Sequence, residues 1–260
     1  MTDRRQRQKQ ARAAAREAER KAAARRELRR RILIGLGLGA AVAVFLLALG
    51  TFSQGEPELP EALADFRDQP TACDATVPEP PAEMQFERPI NQGIRADATI
   101  TATLVTSCGS IVIELDNAGF PQTANNFVFL ARNGYYDGTA FHRIASGFVI
   151  QGGDPTASGR GGPGYVIPDE FPAEDFVYEP GVVAMANAGR GTTGSQFFIV
   201  TGDQAASLNP TFNVLGRVIE GMDVVARIEA VPTRAQSGTV ERSYPTESVY
   251  LESVTITVED

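Results

Sequence analysis

Apolar and polar residues alternate over residues 99–106, which predicts a β-strand. Cys108-Gly109-Ser110 supplies a turn, and Ile111-Val112-Ile113-Glu114-Leu115 returns as a second strand. Residues 123–132 change period: Phe127, Leu130 and Ala131 fall on one helical face, and Gly134 is placed to end the helix. Short strands are expected at 141–144, 148–151, 182–187, 196–200 and 214–218. A second helix is expected over 221–229, with Met222, Val225 and Ile228, or Val224 and Ile228, facing inward. Alternation over 249–258 closes the domain. Many short strands with two helices predict a mainly β fold, a closed barrel with helical caps over residues 96–260.

The first hundred residues follow different rules. Residues 32–52 form an uncharged run of 21 residues, about the length that spans a hydrocarbon core as a helix. Before it, residues 1–31 carry 13 Lys/Arg against 4 Asp/Glu. After it come 28 Asp/Glu and 11 Arg, with no Lys. The positive-inside rule then puts residues 1–31 in the cytoplasm and the rest outside, behind a single transmembrane helix in the plasma membrane. A cleaved signal peptide is the alternative: Ala48-Leu49-Gly50 offers a small-x-small site, although the basic and apolar stretches are both long for one. The basic tail favours helix and reads as a solvated juxtamembrane segment; attraction to anionic lipid or nucleic acid is the sharper reading. No nucleic-acid partner is expected. Residues 53–95 hold seven of the 16 prolines and many acids, which predicts an extended stalk.

Two cysteines, Cys73 and Cys108, lie on the expected outer side. An oxidising compartment and an even count favour a disulfide; two unpaired thiols are the alternative. The spacing fits no zinc pattern, and a single histidine, His142, argues against a metal site. No cofactor is called for.

Candidate chemistry concentrates in two segments. Phe141-His142-Arg143 runs on to Gly147-Phe148-Val149-Ile150-Gln151-Gly152-Gly153-Asp154, and Met185-Ala186-Asn187-Ala188-Gly189 leads to Gly194-Ser195-Gln196-Phe197-Phe198-Ile199. They offer apolar surface, two glutamines, one asparagine and one arginine, with no evident nucleophile. Strand alternation puts Gln196 with Phe198, Val149 with Gln151 and Met185 with Asn187 on shared faces. His142 falls on the face opposite Arg143 and reads as structural.

These segments resemble the cyclophilin-type peptidyl-prolyl cis-trans isomerases, in order and in spacing. Gly134-Tyr135-Tyr136-Asp137-Gly138 before them and Val214-Leu215-Gly216-Arg217-Val218 after them fit as well. The resemblance covers about residues 97–259. It implies a closed eight-stranded antiparallel barrel capped by two α-helices, with the site on its outer face. It also implies Arg143 as the catalytic residue. Phe148, Val149, Met185, Phe198, Leu208 and Phe212 would form the proline pocket and its rim, and Gln151, Ala186, Asn187 and Gln196 would hold the peptide. Val149 stands where Met is frequent, Ser146 where Pro is usual, and Ser207 where some members carry Trp, which puts cyclosporin sensitivity in doubt. The expected activity is rotation about X–Pro bonds of proline-containing polypeptides, assisting the folding of exported or cell-surface chains. A non-catalytic proline-peptide module at the membrane is the alternative, and a barrel that carries small apolar ligands is a weaker third.

Two further patterns have bland explanations. Gly159-Arg160-Gly161-Gly162-Pro163-Gly164 matches a nucleotide-loop spacing, but Pro163 interrupts it and no helix start follows, so it reads as a loop. Asp169-Glu170 and Glu174-Asp175 read as solvated surface ahead of a cation site.

Overall fold

A computed structural model describes residues 59–235 and 240–259. The basic segment 1–31 and the transmembrane segment expected over 32–52 lie outside the described residues. Among the described residues, no helix is long and apolar enough to cross a membrane.

The described residues hold eleven strands and three α-helices: α1 (Glu61–Arg67), β1 (Thr99–Thr106), β2 (Gly109–Leu115), α2 (Pro121–Arg132), β3 (Thr139–Ala140), β4 (Arg143–Ala145), β5 (Val149–Gly152), β6 (Val182–Met185), β7 (Phe197–Val200), β8 (Val214–Glu220), α3 (Met222–Glu229), β9 (Thr233–Ala235), β10 (Arg242–Pro245) and β11 (Tyr250–Glu259). Nine strands form one sheet in the order β3-β11-β1-β2-β8-β6-β7-β5-β4, and β9 pairs with β10 as a separate hairpin. The expected closed eight-stranded barrel is therefore corrected to an open nine-stranded one. The stretch expected as one strand over 141–144 splits: Phe141 and His142 leave the ladder, with β3 before them and β4 after. Because β3 and β4 are the two ends of the sheet, the gap is crossed by the chain itself. Phe141 N donates to Val249 O on one side, and an isolated bridge ties Ala140 to Asp154 on the other.

Helix α2 forms where the 3.6-residue pattern predicts it. Pro121 suits the first turn, because its missing N–H would be unsatisfied there in any case. Phe120 gives no side-chain cap. Glu170 caps from a distant loop instead, accepting from Gln122 N (3.1 Å) and Thr123 N (2.7 Å). Gly134, at φ +69°, ends the helix, with its N–H and that of Tyr135 returning to Ala131 O and Leu130 O. The buried face packs into the main core, where Phe127 stacks on Tyr136 at 4.9 Å and meets Phe197 edge-on at 5.7 Å.

The stalk expected over 53–95 is different from residue 59 on: the compact unit begins at Leu59. In α1, Leu63 and Phe66 are buried with Ala140, Ala157 and Tyr250. Phe66 O accepts from Ser248 Oγ, and Arg67 Nη2 reaches Pro78 O at 2.7 Å. Cys73 and Cys108 are joined by a disulfide, with Cα atoms 5.2 Å apart, so the segment is bolted to the β1–β2 turn. Farther on, Phe86 packs edge-on against Phe129 at 5.0 Å and donates its N–H to Pro163 O. A proline-rich composition forbids helix and sheet over much of this stretch but does not keep the chain off a surface. Buried Leu63, Phe66 and Ala72, the packing of Phe86, backbone hydrogen bonds and one covalent bond hold it there.

Candidate active site

Strand register builds the site. Arg143 on β4 lies directly across from Gln151 on β5, and Gln151 directly across from Phe198 on β7. Phe198 in turn faces Ala184 on β6. Directly paired residues project to the same side of a sheet, so these four form one row. The alternate residues Ile150, Ile199, Phe197 and Val183 project the other way, into the main core.

Beneath and beside the row is a second apolar cluster. Val149 and Phe198 are buried within it, and Phe148, Ala186, Leu208 and Phe212 are half-buried around its rim. Phe198 and Phe212 pack edge-to-face at 5.5 Å. Tyr178 fixes Phe212 from behind: its hydroxyl donates to Phe212 O at 2.8 Å and accepts from Phe212 N at 3.1 Å. Burial raises the Tyr178 pKa above its ordinary value, so the phenol stays protonated and can make both bonds.

A directed chain of polar side chains borders this cluster. Arg143 Nη1 donates to Gln151 Oε1 (3.3 Å), Gln151 Nε2 to Gln196 Oε1 (3.0 Å), and Gln196 Nε2 to Gly161 O (3.0 Å). The Arg143 guanidinium stands 5.5 Å from the Phe148 ring centroid. Its other edge meets Glu241, with Nη2 to Oε1 at 2.6 Å and Nε to Oε2 at 3.4 Å. On the far side of Gln151 and Gln196 lies a groove of about 420 Å³, lined by Gly161, Pro163, Ala186, Asn187 and Thr192 among others. A groove of about 490 Å³ opens elsewhere, near Asp97, Glu114 and Arg217, and contains none of the residues expected at the site.

Ten of the eleven expected site residues thus meet around one apolar cluster and its polar border. Met185 does not. It is fully buried in the main core and pairs with Phe197. The strand ends at Met185, so the alternation that joined it to Asn187 does not continue, and Ala184 takes the place on the site face. Asn187 is present, but its side chain serves its own turn: Nδ2 donates to Thr211 O (2.9 Å), and Oδ1 accepts from Gly189 N (3.1 Å). Ala184 joins the site only through the register of β6 against β7, which alternation within one strand does not reveal. Nothing in the pattern around Glu241 or Tyr178 pointed to the site.

The neighbouring titratable groups have structural tasks. His142 is buried, and both ring nitrogens lack a hydrogen-bond partner. Desolvation holds its pKa below the ordinary value, so the imidazole is neutral. Asp154 organises the loop after β5, accepting from Thr156 N, Thr156 Oγ1 and Gly161 N. Of the acidic loop, Glu170 caps α2 and Asp169 accepts from Gly191 N at 2.8 Å, while Glu174 and Asp175 are exposed.

Comparison with known proteins agrees with the fold. The family model for "Cyclophilin type peptidyl-prolyl cis-trans isomerase/CLD" matches residues 101–256. The chain belongs to that family and is a peptidyl-prolyl cis-trans isomerase. It is 44% identical over 174 residues to the peptidyl-prolyl cis-trans isomerase A of Mycobacterium tuberculosis, covering 61% of this chain and 93% of that protein. It is 45% identical over 150 residues to peptidyl-prolyl cis-trans isomerase-like 1 of Bos taurus, covering 55% of this chain and 90% of that one. A crystal structure of a Cryptosporidium parvum cyclophilin-type isomerase superposes with a TM-score of 0.54 at 30% identity, over 61% of this chain and 98% of that one.

Proposed function

We propose that Arg143 is the catalytic residue and that the apolar cluster beside it is the proline pocket. The observation that carries this reading is the register row, which sets Arg143, Gln151 and Phe198 side by side on one face. Phe148, Val149, Phe198, Leu208 and Phe212 grip the pyrrolidine ring. Gln151, Gln196 and the main chain of Ala186 and Asn187 hold the peptide on either side. A related cyclophilin-type isomerase was crystallised in the presence of the dipeptide Ala-Pro, which supports proline-containing peptides as the ligands.

The chemistry suits such a surface. Rotation about an amide is slow because resonance must be broken, at a cost near 18–20 kcal/mol. An X–Pro bond starts with a small trans preference, so both isomers are populated. No covalent bond is made or broken. In the twisted transition state the prolyl nitrogen becomes pyramidal and regains its lone pair. A guanidinium held by Gln151 and Phe148 can donate to that nitrogen without reorganising. Interactions that strengthen only in the twisted form raise the rate, about tenfold for each 1.36 kcal/mol. Replacing Arg143 by Ala tests the assignment: turnover of a prolyl peptide falls by about a hundredfold, roughly 2.7 kcal/mol.

The finer setting belongs to the same proposal. The domain works outside the cell on exported or cell-surface chains, held by a membrane segment over 32–52. The charge asymmetry across that segment supports the orientation, and the Cys73–Cys108 disulfide supports an oxidising compartment. Protease added to intact cells tests it. Digestion of the domain with residues 1–31 protected is the expected result, and full protection of the domain would refute it. Release of the whole domain into the medium would replace the anchor with a cleaved signal.

A further inference from the structure

The loop over residues 159–164 walls the groove beside Gln196, with Gly161, Gly162 and Pro163 among its lining. It has little means of fixing itself. Four of its six residues are Gly, and glycine restricts its own backbone least. From within the barrel domain, Asp154 Oδ2 accepts from Gly161 N at 3.0 Å, and Pro163 is buried against Gly194. Two of the loop's carbonyls are held by the segment that precedes the barrel. Gln85 Nε2 donates to Gly162 O at 3.1 Å, and Phe86 N donates to Pro163 O at 2.8 Å.

This contact is built from both sides. The Phe86 ring packs edge-on against Phe129 at 5.0 Å and tilted against Tyr135 at 6.4 Å, and Met84 joins it on the main core. On the loop side, Gly164 has φ +91°, and a Cβ there would lie 3.0 Å from Phe86 O. The two backbones therefore approach as closely as only a glycine permits. Gln85 and Phe86 lie ahead of the span that the family model matches, which begins at residue 101.

The loop also ends the polar chain of the site. Gly161 O accepts from Gln196 Nε2, Gln196 Oε1 from Gln151 Nε2, and Gln151 Oε1 from Arg143 Nη1. A shift of residues 161–163 turns the Gln196 amide and opens the groove. The proline pocket keeps its shape, because the sheet register and Tyr178 hold it independently.

We propose that Gln85 and Phe86 are positioning residues for peptide binding: they fix the wall of the groove, so that the segment ahead of the barrel sets the affinity for residues flanking the proline without touching the bond that rotates. The proposal rests on the assignment of Arg143 and its neighbouring pocket as the active site.

The test uses the full chain and two substrates. One is a short capped peptide with a single residue on each side of the proline; the other is extended by several residues on both sides. Values of kcat and KM are measured for the wild type, Phe86→Ala, Phe86→Leu and Gln85→Ala, with melting curves for each. In Phe86→Ala the KM of the long peptide should rise by about three- to tenfold, against less than about twofold for the short one, with kcat for both within about twofold. Gln85→Ala, which removes one exposed bond, should raise the long peptide's KM by about twofold. Phe86→Leu keeps an apolar anchor and should recover the wild-type ratio of the two KM values. A long-to-short KM ratio that is the same in the wild type, Phe86→Ala and Gln85→Ala would overturn the proposal, since general loosening would move both peptides alike. Should Phe86→Ala melt below the assay temperature, Gln85→Ala decides by the same ratio. If the wild type turns over neither peptide, the assignment of the active site fails, and the long-to-short ratio of dissociation constants still decides the role of the two residues.

Discussion

Two regions meet at Arg143, and they were built by different means. One is the sheet of β4, β5 and β7, where alternation and register place every side chain. Its outer face carries Gln151 and Phe198, and its inner face carries Ile150, Ile199 and Phe197. The other is the β9–β10 hairpin, whose flanking Glu241 reaches Arg143, backed by residues 59–95, which pack on that hairpin and on β11. These have no periodicity and depend on single anchors: Phe66, Cys73, Tyr244 and Glu241. A sheet spreads its specification over many residues, so each position is supported by neighbours. A strap concentrates its specification, so losing one anchor should release a long stretch while leaving the sheet intact.

That contrast can be broken most forcefully at Phe66, which is fully buried between Tyr244 and Tyr250. Phe66→Ala should cost about 3–5 kcal/mol in chemical denaturation and expose residues 59–78 to protease. An unchanged midpoint would mean that the strap adds nothing to stability. Replacing Cys73 and Cys108 together by Ser should cost about 3–4 kcal/mol by loop entropy, seen as a lower melting temperature that reductant no longer changes. Equal melting of the wild type with and without reductant would remove the bolt from the account.

Met185→Ala sharpens the comparison from the sheet side. Met185 belongs to the inner face, so its loss should cost about 3 kcal/mol of stability and leave the dissociation constant of a prolyl peptide within about twofold. A weakened affinity at preserved stability would return Met185 to the pocket.

The smallest expected effect is pH-dependent. His142 is buried with a folded pKa below its ordinary 6.5, so the unfolded chain binds its proton more readily. Stability is therefore retained above about pH 6.5 and declines as pH falls through the folded value. His142→Gln should flatten that decline below about pH 6.5, measured as denaturation midpoint against pH. An identical slope in both proteins would show that other groups carry it.

The sequence was most legible where periods were long. Strands β1, β2 and β11 and helices α2 and α3 fall where the patterns put them, because half-buried elements repeat their burial every two or 3.6 residues. The break at Phe141 and His142 was invisible, since an apolar residue outside the ladder looks like one within it. The resemblance put Met185 in the pocket, and the alternation that joined it to Asn187 ran past the end of β6, where Met185 faces the main core. The strap was missed because its prolines signal the absence of regular structure and say nothing about contact. Glu241 was missed because it reaches Arg143 across 98 positions of sequence, and one acid in a polar stretch carries no pattern.

The central claim is that a guanidinium fixed beside an apolar pocket is enough to catalyse the rotation. The most direct test compares the full chain with Arg143→Ala in prolyl-peptide turnover, with melting curves for both. The account predicts matching folds, peptide affinity changed by only a few fold, and a loss of about a hundredfold in kcat/KM. Undiminished turnover in the folded variant would contradict it.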